Sequence, residues 1–312
     1  MKIAVLYPGQ GAQYVGMGKE LYDNCIEAKN IFDKADEVLD WSVKEVCFED
    51  SKGIINQTRY TQAALFTTNY ATYEVLKAKG LKPDATLGFS LGEYDAIVAS
   101  GVLSFEDALR LVDKRATYMD ESAALNPGGM YAIVGLKTDL VREVCEKVSN
   151  ELGLSVTVAN DNCEGQVTIA GVEEALKKAG EELQNAGARR VVPLKVSGAF
   201  HSPLMNEASK KLEAELSNIE FNEVQIPLVS NVTATFNNNE EIRHNIPLQV
   251  INGVRLRESV LYLLDNGYDT FIEVGPKTTL TNLVKKITKG HEGINIYHAE
   301  DLASIDEVIA NL

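Results

Sequence analysis

Apolar residues are spaced in two ways along this chain, and the two spacings alternate. Runs in which nearly every residue is apolar are typical of buried strands, and apolar residues three or four positions apart are typical of helices. In the N-terminal third these patterns predict a strand at 2–7, a helix at 60–79, a strand at 85–89 and helices at 91–100 and from Ser104. Gly80 and Gly101 follow two of these helices, as glycine often does at a helix C-terminus. Strands that alternate with helices predict an α/β fold.

A second pattern occupies residues 128–196, after the chain-breaking sequence NPGG. It predicts strands at 130–136, 154–159, 166–170 and 189–196, with helices at 138–150 and 173–186. The order β-α-β-β-α-β is that of a ferredoxin-like unit. We therefore predict a ferredoxin-like subdomain at 128–196, inserted into a larger α/β domain that comprises residues 1–127 and 197–312.

Composition and charge narrow the function classes. The chain has 312 residues and a formal net charge of −15, which argues against a nucleic-acid partner because phosphates favour positive charge. No apolar run approaches the length of a membrane span, so we predict no membrane partner. Pro8 interrupts the apolar N-terminus and no small-residue cleavage site follows, which favours a buried strand over a signal peptide. We expect the protein to stay in the cytoplasm.

The residues that could bind a metal are few and scattered. The four cysteines form no CxxC pair, and the four histidines form neither HxxxH nor HExxH. We interpret the cysteines as reduced packing residues and predict no metal site.

A candidate nucleophile lies where the strand at 85–89 meets the next helix. Residues 88–92 read GFSLG, a GxSxG pattern, and the strand-turn-helix context is what a nucleophile elbow requires. The turn exposes Ser90, and the helix N-terminus favours the negative charge that develops in acyl transfer. The backbone N–H of Leu91 is then a candidate oxyanion donor. The alternative is a tight turn that contains a serine by chance.

A serine nucleophile needs a base, and His201 is the best-placed histidine. It lies in the small-residue loop SGAFHSP, where the chain returns from the predicted subdomain. His244, His291 and His298 lie in polar segments. No acidic third member of a triad stands out, and a backbone carbonyl would suffice to fix the imidazole tautomer. The alternative is a structural histidine.

Arg115 shares one face of its predicted helix with apolar residues, so we expect it to be buried. A buried guanidinium needs a partner, and its fork geometry suits a carboxylate. That carboxylate is either another residue of this acidic chain or part of the substrate.

The loop after the first strand, PGQGAQ at 8–13, contains an incomplete GxGxxG because position 14 is Tyr. We give little weight to a dinucleotide site. The alternative is a loop whose N–H groups approach the substrate and supply a second oxyanion donor.

Together these motifs resemble the malonyl-CoA:acyl carrier protein transacylases of bacterial fatty-acid synthesis, over essentially the whole chain. The matching segments, in order, are PGQGAQ at 8–13, TQ at 61–62, GFSLGEY at 88–94, Arg115, GQVTIAG at 165–171, GAFH at 198–201, NVTA at 231–234, Gln249 and EVGP at 273–276. The resemblance implies an α/β-hydrolase-like core domain with the inserted ferredoxin-like subdomain. It implies Ser90 as nucleophile, His201 as base and Arg115 as the group that binds the malonyl carboxylate.

The resemblance also implies five supporting residues. Gln10 and Leu91 supply oxyanion N–H groups, Gln249 orients His201 through its backbone carbonyl, and Gln62 lines the pocket. Phe200 fills the space that an α-methyl group needs, so it favours malonyl over methylmalonyl by about 1–3 kcal/mol. The chain departs from the family pattern GHSxG at position 89, where it has Phe instead of His. This leaves no second histidine beside the serine to compete with His201.

The implied partners are malonyl-CoA and the acyl carrier protein, whose phosphopantetheine thiol is the acceptor, with no cofactor bound by the chain itself. Carrier proteins are acidic like this chain, so a docking surface must be locally basic. Arg189, Arg190, Lys285 and Lys286 are candidates. Three alternatives remain open: a serine thioesterase or hydrolase, a polyketide-pathway acyltransferase, and a non-catalytic scaffold that binds a carrier protein.

Overall fold

The computed structural model describes residues 1–312. Its strands are β1 (Ile3–Tyr7), β2 (Ala85–Gly88), β3 (Gly129–Val134), β4 (Val156–Cys163), β5 (Gln166–Gly171), β6 (Arg190–Pro193), β7 (Leu228–Val229), β8 (Phe236–Asn237), β9 (Thr270–Val274) and β10 (Asn295–Ala299). Its α-helices are α1 (Lys19–Asn24), α2 (Ile26–Val38), α3 (Val43–Phe48), α4 (Thr58–Ala78), α5 (Gly92–Ala99), α6 (Phe105–Leu125), α7 (Thr138–Leu152), α8 (Glu173–Asn185), α9 (Asn206–Glu215), α10 (Asn239–Gln249), α11 (Leu256–Asp265), α12 (Thr279–Ile287) and α13 (Leu302–Asn311). None of these helices combines the length and the hydropathy that a membrane span requires.

The larger sheet has six strands in the order β10-β9-β1-β2-β7-β8, all parallel except β8. Every residue of β1 is buried, because helices cover both faces of the sheet. Ile3, Val5 and Tyr7 belong to the hydrophobic cluster on one face. Ala4 and Leu6 belong to the cluster on the other face, as the period of two in a strand requires. This explains why the strand appears in the sequence as a continuous apolar run.

The smaller sheet is antiparallel, with the order β4-β5-β3-β6. Its elements follow one another as β3-α7-β4-β5-α8-β6, which confirms the predicted ferredoxin-like arrangement. A separate hydrophobic core joins this sheet to its helices through residues such as Ile133, Val141 and Leu176. The predicted strand at 189–196 is shorter in the structure, because the chain leaves the sheet after Pro193. The domain boundaries at 127/128 and 196/197 stay a prediction.

Strand β4 of the smaller sheet is bonded to the segment around the start of α11. The Val254 amide donates to the Ala159 carbonyl at 2.8 Å, and the Asp161 amide donates to the Val254 carbonyl at 2.9 Å. Arg257 of α11 forms an ion pair with the buried carboxylate of Asp161 at 2.9 Å. These contacts hold the smaller sheet beside the C-terminal ends of β1 and β2, where the predicted catalytic residues lie.

Candidate active site

Ser90 occupies a strained turn between β2 and α5. Its φ of 53° is in the left-handed region, which a non-glycine residue adopts only where the surroundings enforce it. Gly88 and Gly92 flank the turn, and a Cβ at Gly88 would lie 2.0 Å from the Gly92 carbonyl carbon. A Cβ at Gly92 would lie 2.1 Å from the Tyr7 carbonyl oxygen. Both glycines of GxSxG are therefore sterically required, as in a nucleophile elbow.

His201 contacts Ser90 directly. Its Nε2 lies 2.7 Å from the Ser90 Oγ, and its Nδ1 lies 2.8 Å from the Gln249 backbone carbonyl. A carbonyl only accepts hydrogen bonds, so Nδ1 carries the proton and the Nε2 lone pair faces the serine. Burial of the ring and, to a smaller extent, the positive charge of Arg115 lower the pKa of His201 to about 4. The imidazole is therefore neutral at neutral pH, as a general base must be.

Arg115 projects from α6 to the same point and is 1% exposed. Its Nη1 donates to the Gln62 Oε1 at 2.6 Å, and its Nη2 donates to the Gln249 Oε1 at 2.8 Å and to the Ser90 Oγ at 3.2 Å. Its Nε donates to no group of the chain. No carboxylate of the chain forms a salt bridge with this guanidinium. Its hydrogen-bond partners are neutral oxygens, and its Cζ lies 5.5 Å from the centroid of the Tyr94 ring.

The Gln249 side chain connects the arginine to a buried carboxyl group. Its Nε2 donates to the Ser90 carbonyl at 2.8 Å and to the Glu93 carboxyl group, while its Oε1 accepts from Arg115. The Glu93 Oε1 also accepts a hydrogen bond from the backbone N–H of Asn231 at 2.9 Å. Burial raises the pKa of Glu93 to about 7. Glu93 thus determines which end of the Gln249 amide faces Arg115.

Asn231 holds the elbow itself. Its Oδ1 accepts from the Ser90 amide at 2.8 Å, and its Nδ2 donates to the Gly88 carbonyl at 2.6 Å. Glu93 and Asn231 lie in the segments GFSLGEY and NVTA, but no role was predicted for either. For Glu93 the available signal was its position in α5, a short helix of mostly apolar residues, because a buried carboxyl group there needs buried partners.

The two predicted oxyanion donors lie beside the nucleophile. Neither the Gln10 amide nor the Leu91 amide donates a hydrogen bond to another group of the chain. Gly9 lets the first loop approach the elbow, since a Cβ there would lie 2.4 Å from the Phe89 carbonyl oxygen. The Gln10 side chain donates to the Thr58 Oγ1 at 3.3 Å, which fixes the loop against α4. Two free N–H groups thus flank Ser90.

A cavity of about 130 Å³ joins these residues. Its polar lining consists of Gln10, Gln62, Ser90, Arg115, Asn160 and His201, and its other lining residues are Phe89, Leu91, Met119, Met130, Leu194, Val196 and Phe200. The lining includes residues of the smaller sheet, such as Met130 and Asn160, and residues that follow strands of the larger sheet, such as Gln10 and Ser90. All the sequence-predicted site residues line the cavity except Gln249, which contacts Arg115 and His201 from behind. No group of His, Cys, Asp or Glu residues has an arrangement that could hold a metal ion.

The four candidate docking residues separate into two groups. Arg189, Arg190 and Lys286 line one open cleft, whereas Lys285 lies outside it. This cleft is distinct from the catalytic cavity.

Comparison with known proteins identifies the family to which the chain belongs. A model of the acyl transferase domain matches residues 5–304. The chain belongs to the acyl transferase family. It is 41% identical over 302 residues to the malonyl CoA-acyl carrier protein transacylase of Bacillus subtilis (strain 168), covering 96% of this chain and 95% of that protein. The resemblance inferred from the motifs is thereby confirmed.

Solved structures agree with this assignment. The acyl transferase superimposes on the crystal structure of MCAT from Streptococcus pneumoniae with a TM-score of 0.94 and 42% identity, covering 100% of both chains. A second match is a chain of the holo complex of a type II PKS acyl-carrier protein with its malonyl-transacylase. The TM-score is 0.94 at 35% identity, and the match covers 100% of this chain and 100% of that chain. The predicted α/β fold with a small subdomain is confirmed.

Proposed function

We propose that this acyl transferase moves a malonyl group from malonyl-CoA to the phosphopantetheine thiol of an acyl carrier protein, through a malonyl-serine intermediate. The observation that carries the proposal is the buried Arg115, which lies 3.2 Å from the nucleophile and has no carboxylate partner in the chain. Burying a guanidinium against neutral oxygens is unfavourable, so the residue is best explained by a carboxylate that arrives with the substrate. The names of the relatives agree with this substrate.

In the first half-reaction, Arg115 binds the free carboxylate of malonyl-CoA and orients the thioester over Ser90. The His201 Nε2 takes the Ser90 proton as the Oγ attacks the thioester carbon. The N–H groups of Gln10 and Leu91 stabilise the oxyanion. When the tetrahedral intermediate collapses, the C–S bond breaks and the proton on His201 passes to the sulfur of coenzyme A.

The second half-reaction runs the same chemistry in reverse. His201 takes the proton of the phosphopantetheine thiol, and the thiolate attacks the ester carbon of malonyl-Ser90. The C–O bond breaks and the proton returns to the Ser90 Oγ. Water must be kept from the ester, and the apolar residues of the cavity wall, such as Met130, Leu194 and Phe200, serve this purpose.

The chain's own residues supply every acid, base and electrostatic group in this scheme, so the reaction needs no cofactor held by the chain. The phosphopantetheine belongs to the acceptor. All four cysteines are free thiols, which suits a protein that works in the reducing cytoplasm. We propose fatty-acid synthesis as the pathway that the malonyl-carrier product supplies.

The decisive assay presents malonyl-CoA with a holo carrier protein of fatty-acid synthesis, a holo polyketide carrier protein or no carrier, and quantifies malonyl-carrier and free malonate. We expect malonyl-carrier to dominate with the fatty-acid carrier, little malonate in its absence, and no product with Ser90→Ala. Rapid malonate release regardless of acceptor would instead identify a thioesterase. Preference for the polyketide carrier would reassign the pathway, and the absence of both products would leave a scaffold.

A further inference from the structure

The two candidate oxyanion donors belong to different segments of the chain. Gln10 ends the segment at residues 8–10 that follows β1, which we call the donor loop, and Leu91 lies in the turn that leads into α5. Two N–H groups stabilise one oxyanion only if both lie about 3 Å from the same atom, so the two segments must be held in a fixed relation. One connection is the backbone hydrogen bond from the Phe89 N–H to the Tyr7 carbonyl at 2.9 Å.

Asn69 of α4 makes a second connection between the two segments. Its Nδ2 donates to the Pro8 carbonyl oxygen at 3.1 Å and to the Asp95 Oδ2 at 3.0 Å. Pro8 belongs to the donor loop, and Asp95 lies in α5, four positions after Leu91. No other side chain forms a hydrogen bond with the backbone of the donor loop. A single buried amide therefore joins this loop to the helix that follows the nucleophile.

The Asn69 amide is tightly enclosed. A carbonyl only accepts hydrogen bonds, so the Nδ2 and not the Oδ1 must face Pro8. On the other side of the amide, a Cβ at Gly275 would lie 2.0 Å from the Asn69 Oδ1 and 3.0 Å from the Pro8 Cγ. Only a glycine leaves room there, and its φ of 133° also favours glycine. Asn69 is thus packed between the donor loop and the segment after β9.

Stability does not explain why Asn69 and Asp95 are polar. Both residues are fully buried, and the Oδ1 atom of each has no hydrogen-bond partner in the chain. Burial raises the pKa of Asp95 well above its ordinary value, so the carboxyl group is held in its neutral form and accepts from Asn69. A buried polar pair that is only partly hydrogen-bonded is no more stable than apolar side chains of the same shape. The position that the pair gives to Pro8 is the better explanation.

Resting on the proposed function, we propose that Asn69 and Asp95 are positioning residues for acyl transfer. Through the Pro8 carbonyl they hold the Gln10 N–H where it converges with the Leu91 N–H. Neither residue of the pair lines the catalytic cavity, so they act on the donor loop and not on the substrate. Removal of one oxyanion donor lowers kcat by about 100- to 1,000-fold, and a displaced donor loses part of that.

The test compares Asn69→Leu, Asp95→Leu and the double variant, which replaces the pair by apolar side chains of similar shape. Single-turnover acylation by malonyl-CoA gives a rate constant at saturation and a half-saturating concentration, and urea unfolding gives a midpoint. We expect the double variant to unfold near the wild-type midpoint while its saturating rate constant falls by about 10- to 100-fold. The half-saturating concentration should change by less than about threefold, because Arg115 still binds the carboxylate.

Two further variants are controls. Asp95→Asn keeps an oxygen that accepts from the Asn69 amide, so its saturating rate constant should stay within about threefold of the wild type. Thr72→Val removes a buried hydrogen bond within α4, from the Thr72 Oγ1 to the Thr68 carbonyl at 2.9 Å. That bond does not involve the donor loop, so the rate constant should not change.

A double variant that is acylated at the wild-type saturating rate would overturn the proposal, as would a loss confined to the half-saturating concentration. An uncharged fluorophosphonate separates these outcomes from a failure of the proposed function, because its reaction with Ser90 uses the same N–H groups without malonyl-CoA. If the wild type reacts with the fluorophosphonate but not with malonyl-CoA, the proposed function fails. A slower reaction of the double variant with the fluorophosphonate would still support the positioning role.

Discussion

Replacing Arg115 by methionine removes the guanidinium and keeps a side chain of similar length. In the wild type Arg115 is 1% exposed, and hydrogen bonds to Gln62 and Gln249 hold its guanidinium beside Ser90. In Arg115→Met the malonyl carboxylate must leave water for a cavity that offers no cation. Acetyl-CoA has no carboxylate, so its acylation loses only the weak contact between Arg115 and the Ser90 Oγ.

The expected loss of activity with malonyl-CoA follows from the burial of the ion pair between Arg115 and the malonyl carboxylate. Leaving one charge of a buried ion pair without its partner costs about 3–5 kcal/mol, which corresponds to a factor between about 100 and several thousand. We expect kcat/KM for acylation by malonyl-CoA to fall by this factor, and that for acetyl-CoA to change by less than about tenfold. The preference for malonyl over acetyl should therefore disappear in the variant.

The assay is single-turnover formation of the acyl-enzyme, followed by intact-protein mass. Arg110→Met is the matched control, since Arg110 lies on the same helix but is exposed and pairs with Asp107. Reaction with an uncharged fluorophosphonate reports whether Ser90 and His201 remain competent in Arg115→Met. A fall of equal size for malonyl-CoA and acetyl-CoA would refute the reasoning, because Arg115 would then act on the serine and not on the carboxylate.

Three further predictions concern single side chains. Burial and then the Arg115 charge lower the pKa of His201 to about 4. The rate of acylation by acetyl-CoA should therefore stay constant down to about pH 5 and decrease at lower pH, as the imidazole protonates. In Arg115→Met this decrease should begin at a higher pH, because the positive charge that lowers the pKa is gone. Burial raises the pKa of Glu93 from 4.5 to about 7, so the folded state binds more protons than the unfolded state in this window and stability falls as pH rises through it. Between pH 5 and pH 8 the free energy of unfolding, measured with urea, should fall by about 2–3 kcal/mol more in the wild type than in Glu93→Gln, and equal falls would contradict this. Phe200→Ala should raise the rate with methylmalonyl-CoA relative to malonyl-CoA by about 10- to 100-fold in competition, and an unchanged ratio would remove Phe200 from selectivity.

Local signals in the sequence account for much of the fold. A helix was predicted from Ser104, and in the structure the Ser104 Oγ caps this helix by accepting from the Asp107 backbone N–H at 3.1 Å. The change from helical to strand spacing predicted the ferredoxin-like order. By contrast, β10 was not predicted, because it is a half-exposed edge strand with polar residues such as Asn295 and His298.

The site was predictable only in part, for a physical reason. Ser90 follows from a local turn, but its contact with His201 joins positions 111 residues apart, and only the scarcity of histidines and the family resemblance pointed to it. The orientation of His201 by a backbone carbonyl leaves no signature in side-chain identity. The contacts of Glu93 and Asn231 depend on buried polar groups from distant segments that meet only in the folded chain.

The proposed mechanism depends on a covalent ester on Ser90. The most direct measurement is peptide mapping by mass spectrometry after brief incubation with malonyl-CoA and acid quench, without a carrier protein. The account predicts a malonyl adduct on the peptide that contains Ser90, and no adduct in Ser90→Ala. An adduct on any other residue, or a malonyl adduct that persists in Ser90→Ala, would contradict it.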